Sequence, residues 1–210
     1  MVTDGLNPLA VLTFLGAVLG AGALAVAYLL ARITGRAPLA KLALILGGVG
    51  AGAYLLLFAI ASVTSRDRVL APGEEKHICE IDCHLAYSVA GVKTEAAPSG
   101  GTRYTVTVKV RFDEETISSR RPKDASLSPN SRYVALVDAA GNTYPGSTEG
   151  LKRRLLPGES YTTDLVFDPP AGAADLRFVL RSADFETRFM IGHENSLFHG
   201  RTTFALPTET

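Results

Sequence analysis

Residues 104–112 read Tyr-Thr-Val-Thr-Val-Lys-Val-Arg-Phe, so that apolar and polar side chains alternate along the whole stretch. Successive side chains of a β-strand point to opposite faces, and this alternation therefore predicts a half-buried strand. The same pattern recurs at residues 161–167 and 176–181. Residues 133–137 are apolar throughout and predict a strand buried on both faces. The region is thus rich in strands that share one core.

Clusters of glycine and proline separate these stretches and predict tight turns. They lie at residues 98–101, 140–142, 145–146, 157–158 and 169–172. Short strands at this spacing, without an amphipathic helix between them, are typical of an antiparallel sandwich. We predict an all-β domain over residues 67–210, which is long enough to build its own core.

The N-terminal part has a different composition. Residues 5–31 and 42–65 contain no charged side chain, and each run exceeds the ~20 residues that cross a ~30 Å hydrocarbon layer as a helix. The first run is too long for a signal peptide and lacks a basic N-terminal region. We predict a transmembrane hairpin over residues 1–66, with helices at about 7–33 and 42–64.

Basic residues predict the orientation of this hairpin. Arg32, Arg36 and Lys41 lie in the short connection, whereas Asp4 is the only charged residue before the first helix. Connections rich in Lys and Arg remain in the cytoplasm. The connection is therefore expected inside, with both termini and the β-domain outside.

Each predicted helix carries two glycines at four-residue spacing: Gly16 and Gly20, then Gly48 and Gly52. Small residues let two helix backbones approach closely in a membrane. We expect the glycines to pack against each other within the hairpin, and the alternative is contact with another membrane subunit.

Four stretches of the β-region resemble a known family. They are residues 104–110 (YTVTVKV), 136–144 (LVDAAGNTY), 156–160 (LPGES) and 165–170 (LVFDPP). They look like the bacterial immunoglobulin-like extracytoplasmic domains related to DUF4352, over residues 84–182. The resemblance implies an immunoglobulin-like sandwich without a catalytic site, which follows a lipid or helix anchor. It places the protein in the plasma (inner) membrane of a bacterium, with the C-terminal domain extracytoplasmic.

The architecture is also similar to subunit II of the haem–copper oxidases, in which a two-helix hairpin precedes a β-sandwich. That family binds two copper ions through a Cys-x-Glu-x-Cys-x3-His-x2-Met motif. Here residues 79–83 read Cys-Glu-Ile-Asp-Cys and keep the cysteine spacing. Tyr87 and Ala90 stand where that family has His and Met, and Glu80 lies one place early.

Residues 77–84 (His-Ile-Cys-Glu-Ile-Asp-Cys-His) hold both cysteines and two of the four histidines. Four interpretations are open. In the first, the cysteines face the core of a regular strand over residues 77–89. In the second, they form a disulfide, for which the segment must bend, because four extended steps of ~3.3 Å exceed the span of a bridge. In the third, the segment binds a metal, and in the fourth it attaches haem, although the spacing departs from Cys-x2-Cys-His.

The metal interpretation rests on thiolate and imidazole, which suit copper or zinc. More ligands could come from the C-terminal part, since the last strand of a sandwich can lie beside the first. The candidate metal ligands are His77, Cys79, Cys83, His84, Met190 and His193.

Several functions are disfavoured by what the sequence lacks. It has no Gly-x-Ser-x-Gly motif, phosphate loop or dinucleotide fingerprint, so an enzyme is not expected. Its formal net charge of +0 offers no basic surface for nucleic acid. We expect a non-enzymatic binding or assembly module without a cofactor. Its partners would be the membrane and another membrane or extracytoplasmic protein. The alternative is a copper-handling or electron-transfer protein that uses Cys79, Cys83 and the neighbouring histidines.

Overall fold

A computed structural model describes residues 2–4, 8–78, 84–97, 100–117, 122, 124–129 and 132–206. The chain divides into two compact units. The first comprises Met1–Gly5, Asp67–Phe185 and Arg201–Thr210, and the second comprises Leu6–Arg66 with Glu186–Gly200. The segment Glu186–Gly200, which the sequence pattern assigned to the β-domain, thus packs with the helices.

The second unit is built on two helices, α1 (Pro8–Ile33) and α2 (Ala37–Thr64). The turn between them places Gly35 at φ 70°, a conformation that glycine adopts without steric cost. Helix α2 begins at Ala37, five residues before the start at residue 42 that the charge-free run predicted. Pro38 fits its first turn, because the proline nitrogen has no hydrogen to leave unpaired there. Lys41 consequently lies within the helix.

The expected packing of the helix glycines within the hairpin is wrong. A Cβ atom built on Gly16, Gly20, Gly48 or Gly52 would meet nothing within 4 Å. The small buried residues of the two helices are instead Ala31, Ala40, Ala43 and Ser62. The four glycine positions are open in this unit.

The first unit is a β-sandwich. Its described strands are β1 (Val2–Asp4), β2 (Arg68–Leu70), β3 (Lys76–Ile78), β4 (Leu85–Ala96), β5 (Thr102–Phe112), β6 (Arg132–Val137), β7 (Thr143–Pro145), β8 (Ser160–Phe167), β9 (Arg177–Ser182) and β10 (Thr202–Ala205). One sheet has the order β1-β3-β4-β5-β8, and the other has the order β2-β10-β9-β6-β7. Among the described strands the pairing is mostly antiparallel; β1 with β3 and β2 with β10 are parallel. The pairing of β1 was not foreseen from the sequence.

The alternation that predicted the strands also predicts which side chains form the core. Val106, Val108 and Val110 are buried, whereas Lys109 between them is exposed. The two sheets share one apolar cluster, and the ring of Phe167 in one sheet meets that of Phe178 in the other at 5.9 Å. This part of the fold follows from the period-two pattern.

The regular strand over residues 77–89, one of the four interpretations of the cysteine segment, is not what the flanking residues form. His77 pairs with Ala86 and Ile78 pairs with Leu85, in antiparallel register. The chain therefore reverses direction between Ile78 and Leu85. Cys79 and Cys83 lie outside the described residues, so their interpretation as core residues, disulfide or ligands stays open.

Candidate functional site

A cluster of polar side chains joins β3 to the end of β5 across β4, which lies between them in the sheet. We call it the Asp113 corner; it comprises Glu75, His77, His84, Arg111, Asp113 and Thr116. Strand β5 ends at Phe112, and Asp113 then caps the short 3-10 helix Glu114–Thr116. The cap follows from chemistry, because an aspartate carboxylate accepts the amide hydrogens that a helix start leaves unpaired.

Asp113 is the centre of this cluster and is only 5% exposed. Its Oδ2 lies 3.2 Å from His77 Nε2 and 3.2 Å from Arg111 Nη2, and its Oδ1 accepts the amide of Glu115 at 3.1 Å. Burial raises the pKa of this carboxyl group, but the hydrogen bonds from Arg111, His77 and Glu115 outweigh it. The net result is a pKa below the ordinary value, so Asp113 is ionised at neutral pH.

Arg111 joins Asp113 to a second carboxylate. Its Nε and Nη2 donate to the two oxygens of Glu75 at 2.9 and 2.7 Å. Such a bidentate pair fits the planar guanidinium and is among the stronger charged hydrogen bonds. The Arg111 hydrogen bond lowers the pKa of Glu75. The guanidinium thus holds two carboxylates in their charged form.

His84 reaches the same corner from the start of β4. Its Nδ1 lies 2.5 Å from Thr116 Oγ1, and that hydroxyl donates to the backbone oxygen of Asp113 at 2.8 Å. With the hydroxyl hydrogen used in this way, His84 donates from Nδ1. The imidazole also stacks on Phe112, with ring centroids 5.8 Å apart. Both histidines that flank the cysteines are therefore fixed through Asp113.

His77 has the arrangement that a metal-binding histidine needs. The residue is 1% exposed, and its Nε2 donates to the Asp113 carboxylate. Its Nδ1 is buried and has no hydrogen-bond partner among the residues that the structure describes. A carboxylate on one ring nitrogen fixes the tautomer and leaves a lone pair on the other. This lone pair belongs to a residue two positions before Cys79.

Lys76, next to His77, is also fully buried, which is rare for lysine. Its Nζ donates to the carbonyl of Leu180 at 2.8 Å and lies 3.3 Å from that of Thr202. These carbonyls belong to β9 and β10, so Lys76 fastens one sheet to the other. Sequence analysis missed this role and those of Arg111, Asp113 and Glu75. The available signal was the Arg111-Phe112-Asp113 order at the end of a long strand.

The other candidate ligands, Met190 and His193, belong to the second unit. His193 Nδ1 accepts the amide of Asn195 at 3.0 Å, and the carbonyl of Met190 accepts the Ser196 hydroxyl. Within the described part of the chain, no group of three or more His, Cys, Asp or Glu residues could hold a metal ion. Because both cysteines lie outside that part, the six-residue ligand set stays a prediction.

The chain was also compared with known proteins. No family model and no curated protein matches it. Among solved structures, MPT63, a secreted protein from Mycobacterium tuberculosis, is similar at 16% identity with a TM-score of 0.38. The match covers 53% of this chain and 89% of MPT63. The functional interpretation therefore rests on the residues of the chain itself.

Proposed function

We propose that the protein is a non-enzymatic binding or assembly module, held at the outer face of a bacterial plasma membrane by its helical hairpin. Its domain would be an immunoglobulin-like sandwich, as the sequence resemblance implies. The observation that carries the proposal is the exposure of the helices: both are long and apolar enough to cross a membrane, and almost none of their residues are buried. Leucines such as Leu12, Leu19 and Leu44 are exposed around them. A bilayer is the solvent that favours this pattern.

Two observations support an outside position for the sandwich. The basic residues Arg32, Arg36 and Lys41 lie at the turn of the hairpin, and such residues remain in the cytoplasm. The first strand, Val2–Asp4, pairs with Lys76–Ile78 of the sandwich. An N-terminus that takes part in this sheet lies on the same side of the bilayer as the sandwich, as two membrane crossings require.

A non-enzymatic role is supported by the burial of the Asp113 corner. A histidine beside a carboxylate resembles part of a catalytic site, but a catalytic group must contact its substrate. His77 is 1% exposed and Asp113 is 5% exposed. The negative charge of Asp113 is balanced by Arg111, whose Nη2 lies 3.2 Å from Asp113 Oδ2. The pair is therefore suited to linking β3 to the end of β5 across β4.

Topology reporters test this proposal. Alkaline phosphatase, which is active only outside the cytoplasm, is expected to be active when fused after Thr210 and inactive when fused after Ala37. A cytoplasmic fluorescent reporter should give the opposite pair of results. Carbonate extraction should leave the chain in the membrane fraction. Activity at Ala37, or release by carbonate, would contradict the proposed anchoring.

A second candidate function is copper handling or electron transfer, and the buried Nδ1 of His77 favours it. His77 would bind the metal through Nδ1, and Cys79, Cys83 and His84 would supply further ligands from the adjacent segment. Titration of the purified full-length protein with copper or zinc should then raise its melting temperature, because a ligand that binds only the folded state stabilises it. The double variant Cys79→Ser/Cys83→Ser should abolish the rise. A copper–thiolate bond would add intense visible absorption.

The matched control for that titration is His199→Gln, since His199 Nδ1 already bonds to the backbone oxygen of Gly200 and belongs to none of the proposed ligands. It should keep the full metal response. Thiol labelling of the denatured protein, with and without prior reduction, distinguishes a disulfide: cysteines labelled only after reduction would argue against the metal.

A further inference from the structure

The segment Glu186–Gly200 has its polar and apolar residues arranged the opposite way from a water-soluble loop. Its central residues His193, Glu194, Asn195 and Ser196 are buried. Phe189, Leu197 and Phe198 are 41%, 47% and 87% exposed. In water the phenylalanines would be covered and the glutamate solvated. Exposed apolar side chains around a polar interior are instead suited to contact with lipid.

Five backbone amides of the segment donate to carbonyls of the same segment, and such internal pairing favours contact with lipid. The amides of Met190, His193, Ser196, Leu197 and His199 donate to carbonyls of Thr187, Met190, His193, Arg188 and Ser196. Asn195 Nδ2 donates to Thr187 Oγ1 at 3.1 Å. Irregular backbone is tolerated at membrane depth only when its polar groups are paired within the protein.

Two contacts fasten this segment to α2 within the second unit. The Tyr54 hydroxyl donates to the carbonyl of Phe189 at 2.5 Å, and the amide of Gly200 donates to Ser65 Oγ at 2.6 Å. Eleven residues separate Tyr54 from Ser65, or about 16 Å of helix. The segment therefore lies along the C-terminal part of α2.

The position of Tyr54 sets the depth of the end of the segment that carries Phe189. It follows Lys41 by thirteen residues, which is about 20 Å of helix, and a hydrocarbon layer is ~30 Å thick. If Lys41 lies at the inner boundary, Tyr54 is still within the layer on its outer side. The exposed Arg188 can extend its charged group to the headgroups while its stem remains among the acyl chains.

Phe198 also has an unusual backbone conformation. Its φ is 65°, which an aromatic residue rarely adopts because of steric strain. Residues with strained backbone conformations cluster at functional sites. Here the strained backbone accompanies the most exposed phenylalanine of the segment.

We propose that Glu186–Gly200 is a membrane-dipping segment, whose Phe189, Leu197 and Phe198 side chains contact the acyl chains of the outer leaflet. The inference rests on the proposed membrane hairpin and adds a third contact with the bilayer, outside α1 and α2. It makes the lipid surface a partner of residues far from the N-terminus in sequence.

Tryptophan fluorescence tests this directly, because the chain contains no tryptophan. The full-length variant Phe198→Trp is reconstituted in phosphatidylcholine–phosphatidylglycerol nanodiscs, with or without brominated acyl chains. We expect blue-shifted emission, loss of emission with brominated lipid and weak quenching by aqueous iodide. Leu56→Trp on the exposed face of α2 is the control within the bilayer, and Val166→Trp on β8 is the control in water.

The outcomes separate this inference from the proposed anchoring. Quenching by brominated lipid at Leu56→Trp but not at Phe198→Trp would overturn the dipping segment and keep the membrane hairpin. Absence of quenching at both would overturn both proposals. Emission at Phe198→Trp that neither quencher affects would show that protein covers the site and would also overturn the inference. Leu197→Trp repeats the test if Phe198→Trp does not fold.

Discussion

The β-sandwich and the helical hairpin place the same residue types in opposite positions. In the sandwich, valines and phenylalanines fill the space between two sheets, while lysines and threonines of the same strands face outward. In the hairpin, leucines and valines cover the outer surface. Both arrangements follow from the hydrophobic effect, which favours the removal of apolar side chains from water. This difference is the one expected if the sandwich faces water and the hairpin, as proposed, faces lipid.

The largest effect should come from a charge placed inside the sandwich. Val108→Asp buries an unpaired carboxylate between the sheets, where Val108 is 1% exposed. We expect a loss of at least about 4 kcal/mol in the free energy of unfolding, enough to unfold the domain. Denaturant unfolding of the full-length protein in detergent measures it.

Lys109→Asp is the matched control, since Lys109 is the next residue and is exposed. It should change the midpoint little. Equal losses for the two variants would mean that the sheet does not present these faces as described.

The same substitution, valine to aspartate, can be made on the exposed surface of each unit to compare the lipid proposed around the hairpin with the water around the sandwich. Val49 at the middle of α2 is 67% exposed, and Val166 on the sandwich is 48% exposed. Val49→Asp should hinder insertion by about 3 kcal/mol, the cost of aspartate at the centre of a spanning helix. Val166→Asp should be nearly neutral, because water covers it. The membrane-inserted fraction after translation measures the first variant, and thermal melting measures the second. Neutral behaviour at both positions would remove the distinction between the units.

The Asp113 corner predicts how the sandwich responds to acid. Asp113 and Glu75 have pKa values lowered by folding, so their contribution to stability is complete above the unfolded-state pKa of about 4. It is lost as the pH falls from about 4 through the lower folded-state values, because the native state must then take up protons. Melting temperatures between pH 7 and pH 2 should decline in this window.

Asp113→Asn provides the control for that pH profile. It should be less stable at pH 7 and should decline less steeply below pH 4. A profile with the wild-type slope would show that other carboxylates govern the acid response.

The sequence predicts these regions unequally, for physical reasons. Alternation fixes strand faces locally, and charge-free length indicates a spanning helix, so Val108 and the hairpin could be placed in advance. The roles of Lys76 and His77 could not be predicted in this way, because their partners Thr202 and Asp113 lie far from them in sequence. The parallel pairing of β1 with β3 depends on contacts across more than seventy residues. The glycine spacing gave a wrong prediction of the hairpin packing, because Ala31, Ala40 and Ala43 are buried there instead of the glycines.

The smallest effect concerns two arginines of similar exposure, of which only Arg111 also contacts a buried carboxylate. Arg103 binds both oxygens of Asp168 at 2.7 and 2.8 Å, with both side chains partly in water. Arg111 binds Glu75 with similar geometry but also contacts Asp113, whose side chain is 7% exposed. Arg111→Ala leaves that buried carboxylate without its guanidinium and should cost about 2 kcal/mol. Arg103→Ala should cost much less, because water and salt weaken exposed ion pairs. Denaturant midpoints of the two variants, at low and high salt, measure the difference. If Arg103→Ala proved the more damaging, depth of burial would not explain which ion pairs hold the sandwich together.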